Sequence, residues 1–222
     1  IAAHPDDIEF VMAGTLLRLQ RMGWNVHYFN IADGCCGSMT LDRQQIAAIR
    51  LKEAQRAAAA IPATFYPPIC PDMGIYYSEE NLAKVSAVVR KAAPTIVITH
   101  SPVDYMEDHE AACRLAVSAA FVMTMPNFQA ADGIPPCSGP VAVYHAQPHG
   151  NRDPLRQPVF PDLFIDIEEV MEDKIRLLEM HESQRGWLDT TQGMSSYVQS
   201  MVDANSKLGE MSGRFRYSEG FR

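Results

Sequence analysis

The chain has 222 residues, 47% hydrophobic and 21% charged, which supplies enough apolar material for a sizeable core and excludes global disorder. Nineteen basic residues against 27 acidic ones give a net charge of −8, the wrong sign for a surface that meets nucleic acid through its phosphates. The longest uncharged stretch, 115–131, is interrupted by Ser118, Thr124, Pro126, Asn127 and Gln129, so no window predicts a membrane span.

Residues Ile1-Ala2-Ala3 read as the end of a buried strand. Ile8, Val11, Met12, Thr15, Leu16 and Leu19 then recur at helical spacing, with Gly23 as the stop, which predicts one helix over 8–22. A strand over 26–31 follows. Thr40-Leu41-Asp42 opens a long Ala-rich helix through 60, carrying i,i+3 charge pairs such as Arg50 and Glu53. A third helix is predicted over 79–93, a buried strand bounded by Pro94 over 94–99, and a fourth helix from 108 to about 123. Beyond it the pattern loosens. Residues 126–140 form a loop holding four prolines, 141–145 and 163–167 are strand candidates, and 168–181 is a helix. From 182 to 222 the sequence is polar, dotted with Gly and Ser, and poorly specified. Strand–helix alternation with short loops predicts a Rossmann-like three-layer αβα sandwich with a mostly parallel sheet. No repeat, low-complexity run or linker appears, so residues 1–222 read as a single domain.

Cys35, Cys36, Cys70, Cys113 and Cys137 form no CxxC pair, and an odd, sparse set reads as reduced thiols in a cytoplasmic protein. The chain opens at Ile1 without a methionine, which leaves room for a leader or an earlier strand.

The densest chemical signal is Ala3-His4-Pro5-Asp6-Asp7, where the first strand ends and the first helix begins. That is the carboxyl edge of an open α/β sheet, where ligands bind. The plain alternative is a solvated turn, because Asp caps helices well. A second cluster, His100 through Asp104, Tyr105, Met106, Glu107 and Asp108 to His109, occupies the turn after the other well-marked buried strand. The sheet can bring both turns to one edge. A metal would then meet two imidazoles and one carboxylate, with a position left for water as in catalytic zinc sites. The same donor types also make mononuclear iron sites, though His-x-x-Asp on an α/β scaffold speaks against iron. A dinucleotide-binding reading fails because the first turn has acids and no G-x-G-x-x-G.

Ala-His-Pro-Asp-Asp, together with the distal Pro102-x-Asp104-x-x-x-Asp108-His109-x-Ala111, resembles the LmbE/PIG-L family of zinc-dependent N-deacetylases of N-acetylglucosaminyl compounds. Ala13-Gly14, the loop Gly34-Cys35-Cys36-Gly37-Ser38, Arg50-x-x-Glu53, Lys174 and His181-Glu182-Ser183-Gln184 extend the resemblance over roughly residues 1–184. The resemblance implies that His4, Asp7 and His109 bind Zn2+, or another divalent ion in its place. It makes Asp6 the general base and puts Arg50 near substrate hydroxyls or phosphate. The substrate class it implies is an N-acylated amino sugar or conjugate, and it leaves homo-oligomerisation open.

One position departs from the family. Where it commonly has a histidine that helps stabilise the oxyanion and is oriented by the following aspartate (here Asp108), this chain has Met106. A thioether donates no hydrogen bond. Tyr105, His145, His181 or another donor would have to substitute. Otherwise the protein is an amidase of a non-sugar amide or a non-catalytic sugar binder, a reading that the intact Asp6 disfavours. Arg50 and Glu53 have a bland reading as a surface pair, Cys35-Cys36 as small fillers, and His27 as structural; His145 and His149 carry no assignment.

Overall fold

Residues 1–184 and 197–222 are described, in a computed structural model. Among the described residues, six strands form the middle layer: β1 (His27–Phe29), β2 (Thr64–Tyr66), β3 (Ile96–Thr99), β4 (Ala142–His145), β5 (Leu163–Asp166) and β6 (Ser218–Phe221). β1 pairs with β2 and β3 with β4, both parallel, with Tyr28 opposite Phe65 and Ile98 opposite Tyr144. The start of the chain joins the two pairs: Ala2 bridges in parallel to Asn30, and the Ile1 amine donates to the Ile98 carbonyl at 2.8 Å. Beyond β4, His145 and Arg222 exchange backbone bonds of 2.7 and 3.0 Å, and β6 pairs antiparallel with β5. Only β6 therefore runs against the other strands.

Helices α1 (Asp7–Val11), α2 (Ala13–Arg21), α3 (Arg43–Ala60), α4 (Glu79–Ala92), α5 (Glu107–Val122), α6 (Met171–Glu179) and α7 (Tyr197–Ser212) cover both faces. Successive strand residues point to opposite faces. Phe29 accordingly joins the cluster under α4 and α5, with Val85, Val89 and Leu115, while Tyr28 packs with Ile8, Ala54 and Ala58 under α1 and α3. α2, α6 and α7 gather around Leu17, Ile167, Leu177 and Met201. This is the expected α/β sandwich. No helix among the described residues is long and apolar enough to cross a membrane.

Local signals set several helix starts as the sequence predicts. Asp42 accepts from Gln45 N at 2.9 Å while the Gln45 side chain accepts from Asp42 N at 3.2 Å, a reciprocal cap that opens α3. Ser78 accepts from Asn81 N at 3.1 Å and opens α4.

The helix predicted over 8–22 is instead two, broken at Met12 (φ −145°). The cause lies 200 residues away. Glu219 on β6 accepts from Gly14 N at 2.8 Å and Thr15 N at 2.7 Å, so its carboxylate satisfies the first turn of α2 and sits at the positive end of that helix. A Cβ at Gly14 would lie 2.8 Å from Ile167 Cγ2, which explains the small residue there. Lys174 on α6 pairs with the same carboxylate, both side chains fully buried. The poorly specified tail thus contains α7 and the buried strand β6; residues 185–196 lie outside the described residues.

Because Glu219 is compensated chiefly by Lys174, Lys174→Ala should destabilise the protein by about 3–5 kcal/mol, the usual range when one partner of a buried ion pair is removed. Adding Glu219→Gln should recover part of that loss. Urea unfolding of the parent, the single and the double variant measures both effects, and a loss below about 1 kcal/mol for the single variant would mean that the pair behaves like an exposed one.

Candidate metal centre and its cavity

Three strand ends open on one cavity of about 250 Å³: the turn after residues 1–3, the turn after β3, and the segment after β4. His4, Asp7 and His109 each present one donor atom to a common region, all within 4.8 Å of one another. Asp7 Oδ1 lies 3.3 Å from His109 Nε2 and Asp7 Oδ2 lies 3.4 Å from His4 Nδ1. On its far side each ring meets a second carboxylate. His4 Nε2 is 3.0 Å from Asp108 Oδ2, and His109 Nδ1 is 3.0 Å from Asp104 Oδ1. A carboxylate behind each imidazole fixes the ring and raises the basicity of the nitrogen that faces inward, as is usual behind metal-binding histidines.

The donor set fits a divalent cation on this chain's own terms. His109 Nε2 is buried and has no hydrogen-bond partner, although Asp7 stands in front of it. Burial would lower the pKa of His109, yet Asp7 and Asp104 outweigh it and raise it to about 10. Burial likewise disfavours charge on His4, but Asp108 and Asp7 lift it to about 9. Burial pushes Asp7 up, and the facing His109 and His100 nevertheless hold it well below the usual carboxylate range. The cluster therefore favours positive charge at its centre. Two imidazoles and one carboxylate are the ligand types of catalytic zinc. A second trio, His100, Asp104 and His109, is less suited, because His100 Nε2 already accepts from Ala3 N at 2.9 Å. The His100 ring stacks on His109, centroids 4.1 Å apart.

Asp6 takes a different path from its neighbour. Its backbone is left-handed (φ 100°), a conformation costly for a residue with a Cβ though tolerated best by Asn and Asp. The two consecutive carboxylates diverge: Asp7 faces the imidazoles, while Asp6 Oδ2 lies 3.2 Å from Arg50 Nη2. Burial raises the Asp6 pKa against the pull of Arg50.

The exposed Arg50–Glu53 pair does not form. Both residues are buried and point apart. Arg50 donates to the carbonyls of Pro5 and Gly34 as well as facing Asp6, and Glu53 accepts from Ser183 N at 2.9 Å and Ser183 Oγ at 2.7 Å. Gly34 permits this approach. Its φ is +77°, and a Cβ there would stand 2.6 Å from Arg50 Cδ.

Met106 lines the cavity, half-buried, one residue before α5. Asp108 does not turn toward it. That carboxylate is engaged by His4 and by Met73 N at 2.7 Å. Of the proposed substitutes, Tyr105 lines the cavity edge-on to His109, with ring centroids 5.8 Å apart. His145 instead points into the protein, 2.9 Å from the His100 carbonyl, and His181 is buried 3.2 Å from Glu9. Asp104, Gln147, His149 and Tyr197 also line the cavity, and sequence reasoning gave none of them a role. The strand-end rule could have found Gln147 and His149, which follow β4. Tyr197 had no such signal.

Cys35, Cys36 and Asp72 make a further group of possible ligands. Asp72, however, accepts from Gly34 N at 2.7 Å and Cys36 N at 2.8 Å, which ties the loop, and burial pushes the Cys35 thiol up to about 11. A protonated thiol is a poor ligand. His27 is structural as read, 3.0 Å from the Tyr66 hydroxyl.

The chain is similar to several known proteins. A diacetylchitobiose deacetylase of Thermococcus kodakarensis is 29% identical over 100% of this chain and 80% of its own length. A 4-oxalmesaconate hydratase of Pseudomonas putida is 25% identical over 100% of this chain and 86% of its own. The structure of N,N'-diacetylchitobiose deacetylase from Pyrococcus horikoshii, in complex with an inhibitor, superposes with a TM-score of 0.81 at 27% identity, covering 100% of this chain and 80% of that one. Residues 1–120, which carry both halves of the His4–Asp7–His109 cluster and exceed half of the 222, match the family described as PIG-L, GlcNAc-PI de-N-acetylase, and the chain belongs to that family.

Proposed function

We propose that this chain is a metal-dependent N-deacetylase that removes an acetyl group from an amino sugar or its conjugate. The observation that carries the reading is the division of labour between two adjacent carboxylates, Asp6 buried and Asp7 half-buried. Asp7 stands among imidazoles, and Asp6, with its raised pKa, stands beside Arg50 at the same cavity. The deacetylase relatives support it.

His4, Asp7 and His109 would hold the ion, zinc by the nature of the donors. Such an ion, when bound, supplies a Lewis acid and lowers the pKa of water to near 7. Asp6 accepts the proton of the attacking water, and its raised pKa brings it closer to the value a general base needs at neutral pH. Arg50 keeps that carboxylate ionised beforehand and fixes its direction. Asp6 then returns the proton to the departing amine nitrogen. Asp104 and Asp108 hold the imidazoles through their outer nitrogens. Phe10 and Tyr105 give the cavity flat apolar surfaces against which a sugar face can lie.

A second reading, hydration of an organic acid as in the hydratase relative, is favoured by one observation: Met106 offers no donor where amide hydrolysis wants one. The charge of the cavity opposes it. Asp6, Asp7, Asp72, Asp104 and Asp108 line it against Arg50, whose guanidinium already faces Asp6. A neutral amide suits that field better than a polyanion.

Zinc-loaded protein should release amine from N,N'-diacetylchitobiose or another N-acetylated sugar; a metal-loaded protein that releases none across a panel of such sugars would sink the reading and leave a binder or a hydratase. Asp6→Asn should retain the ion but lower turnover by roughly 10²–10⁴, the range for a lost general base. In a competition titration with a metal-sensitive dye, Asp104→Ala and Asp108→Ala should each weaken zinc binding by about 10–100-fold. Unchanged affinity in both would mean that the two carboxylates do not support the ligands.

A further inference from the structure

Beside the metal cavity lies a recess of about 30 Å³, and the two spaces share Phe10, Val11, Gln147 and His149 as walls. A water-sized group needs about 10–15 Å³ of such space, so the recess admits one hydroxyl together with the carbon that carries it. Its remaining walls include Ala204, Asn205, Leu208 and Gly220, and among the described residues no Asp, Glu, Lys or Arg lines it. The main cavity is acidic; this annex offers no countercharge and therefore suits a neutral group.

Two side-chain oxygens of the recess lack donors. Gln147 is 7% exposed and Asn205 3%, yet among the described residues neither Gln147 Oε1 nor Asn205 Oδ1 receives a hydrogen bond. The rest of each side chain is held. Asn205 Nδ2 donates to the Ser218 carbonyl at 3.0 Å, which leaves Oδ1 as the free end of that amide. Gln147 follows β4, where Ala146 N donates to Thr99 O at 2.8 Å. The Gln147 stem passes over Gly220, at which a Cβ would come within 3.1 Å of Gln147 Cγ. A buried acceptor without a donor is costly, and most such groups in folded proteins have partners. Two of them in one recess that opens beside a substrate cavity point to a donor that arrives with the substrate.

We propose that this recess is the subsite for the exocyclic hydroxymethyl group of the amino sugar, with Gln147 and Asn205 as the residues that select it. The inference rests on the deacetylase reading above. A ring hydroxyl of a pyranose cannot enter so narrow a space without the ring following it, whereas a hydroxymethyl group projects one carbon beyond the ring. Its O–H can share one proton between two acceptors in a three-centre bond. Phe10 walls both spaces, so a sugar lying against that ring has its hydroxymethyl group beside the recess while the acetamide stays in the main cavity. An analogue with a methyl group in its place would leave both amide oxygens unpaired, which is how a site built around a substrate hydroxyl rejects a substrate without it. The contact is made away from the reacting carbon and is the same in substrate and transition state, so it lowers KM and leaves kcat unchanged.

The test compares N-acetylglucosamine with its 6-deoxy analogue on the full chain loaded with zinc. The 6-deoxy sugar should show a KM at least about tenfold higher, with kcat within about threefold, because buried acceptors lose their donor. Gln147→Met keeps the length of the side chain and removes the amide. It should cut that discrimination at least about threefold at unchanged zinc content, and it should leave the ranking of the 3-deoxy and 4-deoxy analogues as in the parent. Equal KM for N-acetylglucosamine and its 6-deoxy analogue in the parent overturns the proposal and leaves a recess filled by solvent alone. So does discrimination that Gln147→Met does not change, or an effect of that variant that follows the 3- or 4-hydroxyl instead. Calorimetry on the zinc-loaded Asp6→Asn variant reads sugar binding without turnover and separates this proposal from the reaction. If the parent releases no amine from any N-acetylated sugar, the deacetylase reading fails by itself. A preference of Asp6→Asn for N-acetylglucosamine over the 6-deoxy sugar of at least about tenfold then still upholds the subsite, and equal or undetectable binding of the two overturns it.

Discussion

Holding two carboxylates side by side, Asp6 buried and Asp7 half-buried, is the constraint from which the rest of this site follows. Asp6 and Asp7 are consecutive, and each needs its own compensation, since an unpaired buried charge is far costlier than a paired one. The left-handed turn at Asp6 separates them. Asp7 then requires imidazoles, and each imidazole pair of nitrogens is completed by a further carboxylate, Asp108 behind His4 and Asp104 behind His109. Asp6 requires a guanidinium, and Arg50 can reach it from α3 only because Gly34 leaves room for its side chain. The cavity is a nested set of charge compensations, in which removing any member leaves the next one exposed to the same penalty.

The same logic ties the last part of the chain to the first. Glu9, on α1, accepts from the Tyr28 hydroxyl at 3.1 Å and faces His181; Glu53 on α3 receives Ser183; Glu219 on β6 receives the start of α2 and Lys174. Apart from Gln184, which reaches the cavity wall, these residues lie behind the site and support it. The late family matches at Lys174, His181, Ser183 and Gln184 are thus explained by buried polar bonds between distant segments, where each unmade bond would cost more than a made one contributes.

What was legible in the sequence was what local chemistry determines. The His4–Asp7 turn could be read because residue type and strand-end position point the same way, and the starts of α3 and α4 because their caps lie within three residues. Non-local partners decided the rest. The 8–22 segment has unbroken helical periodicity, and nothing within it announces that Glu219 will interrupt it. Arg50 and Glu53 have the spacing of a surface pair, yet Gly34 and Ser183 draw both inward in different directions. Ser218-Glu219-Gly220-Phe221 alternates too weakly to read as a strand, since two of its polar side chains are buried by partners from α2, α6 and β5. Met106 was legible as a departure; that Asp108 would face His4 instead of position 106 was not.

The charge of the cavity bears on how the proposed reaction proceeds in one direction. Five carboxylates face one guanidinium, and a divalent ion would offset only part of the excess. An N-acetyl sugar enters as a neutral molecule and is neither attracted nor repelled at long range. Hydrolysis converts the neutral amide to an amine: the proton held by Asp6 goes to the nitrogen as the C–N bond breaks, giving a neutral amine and acetic acid, and transfer of the acid's own proton to the amine then leaves an ammonium and an acetate. The acidic wall then stabilises the product amine at the nitrogen and opposes the acetate released with it, which favours departure of acetate before the amine. Asp6 is thereby placed to act twice on one proton, first taking it from water because burial raises its affinity for it and then giving it to the nitrogen as the C–N bond breaks.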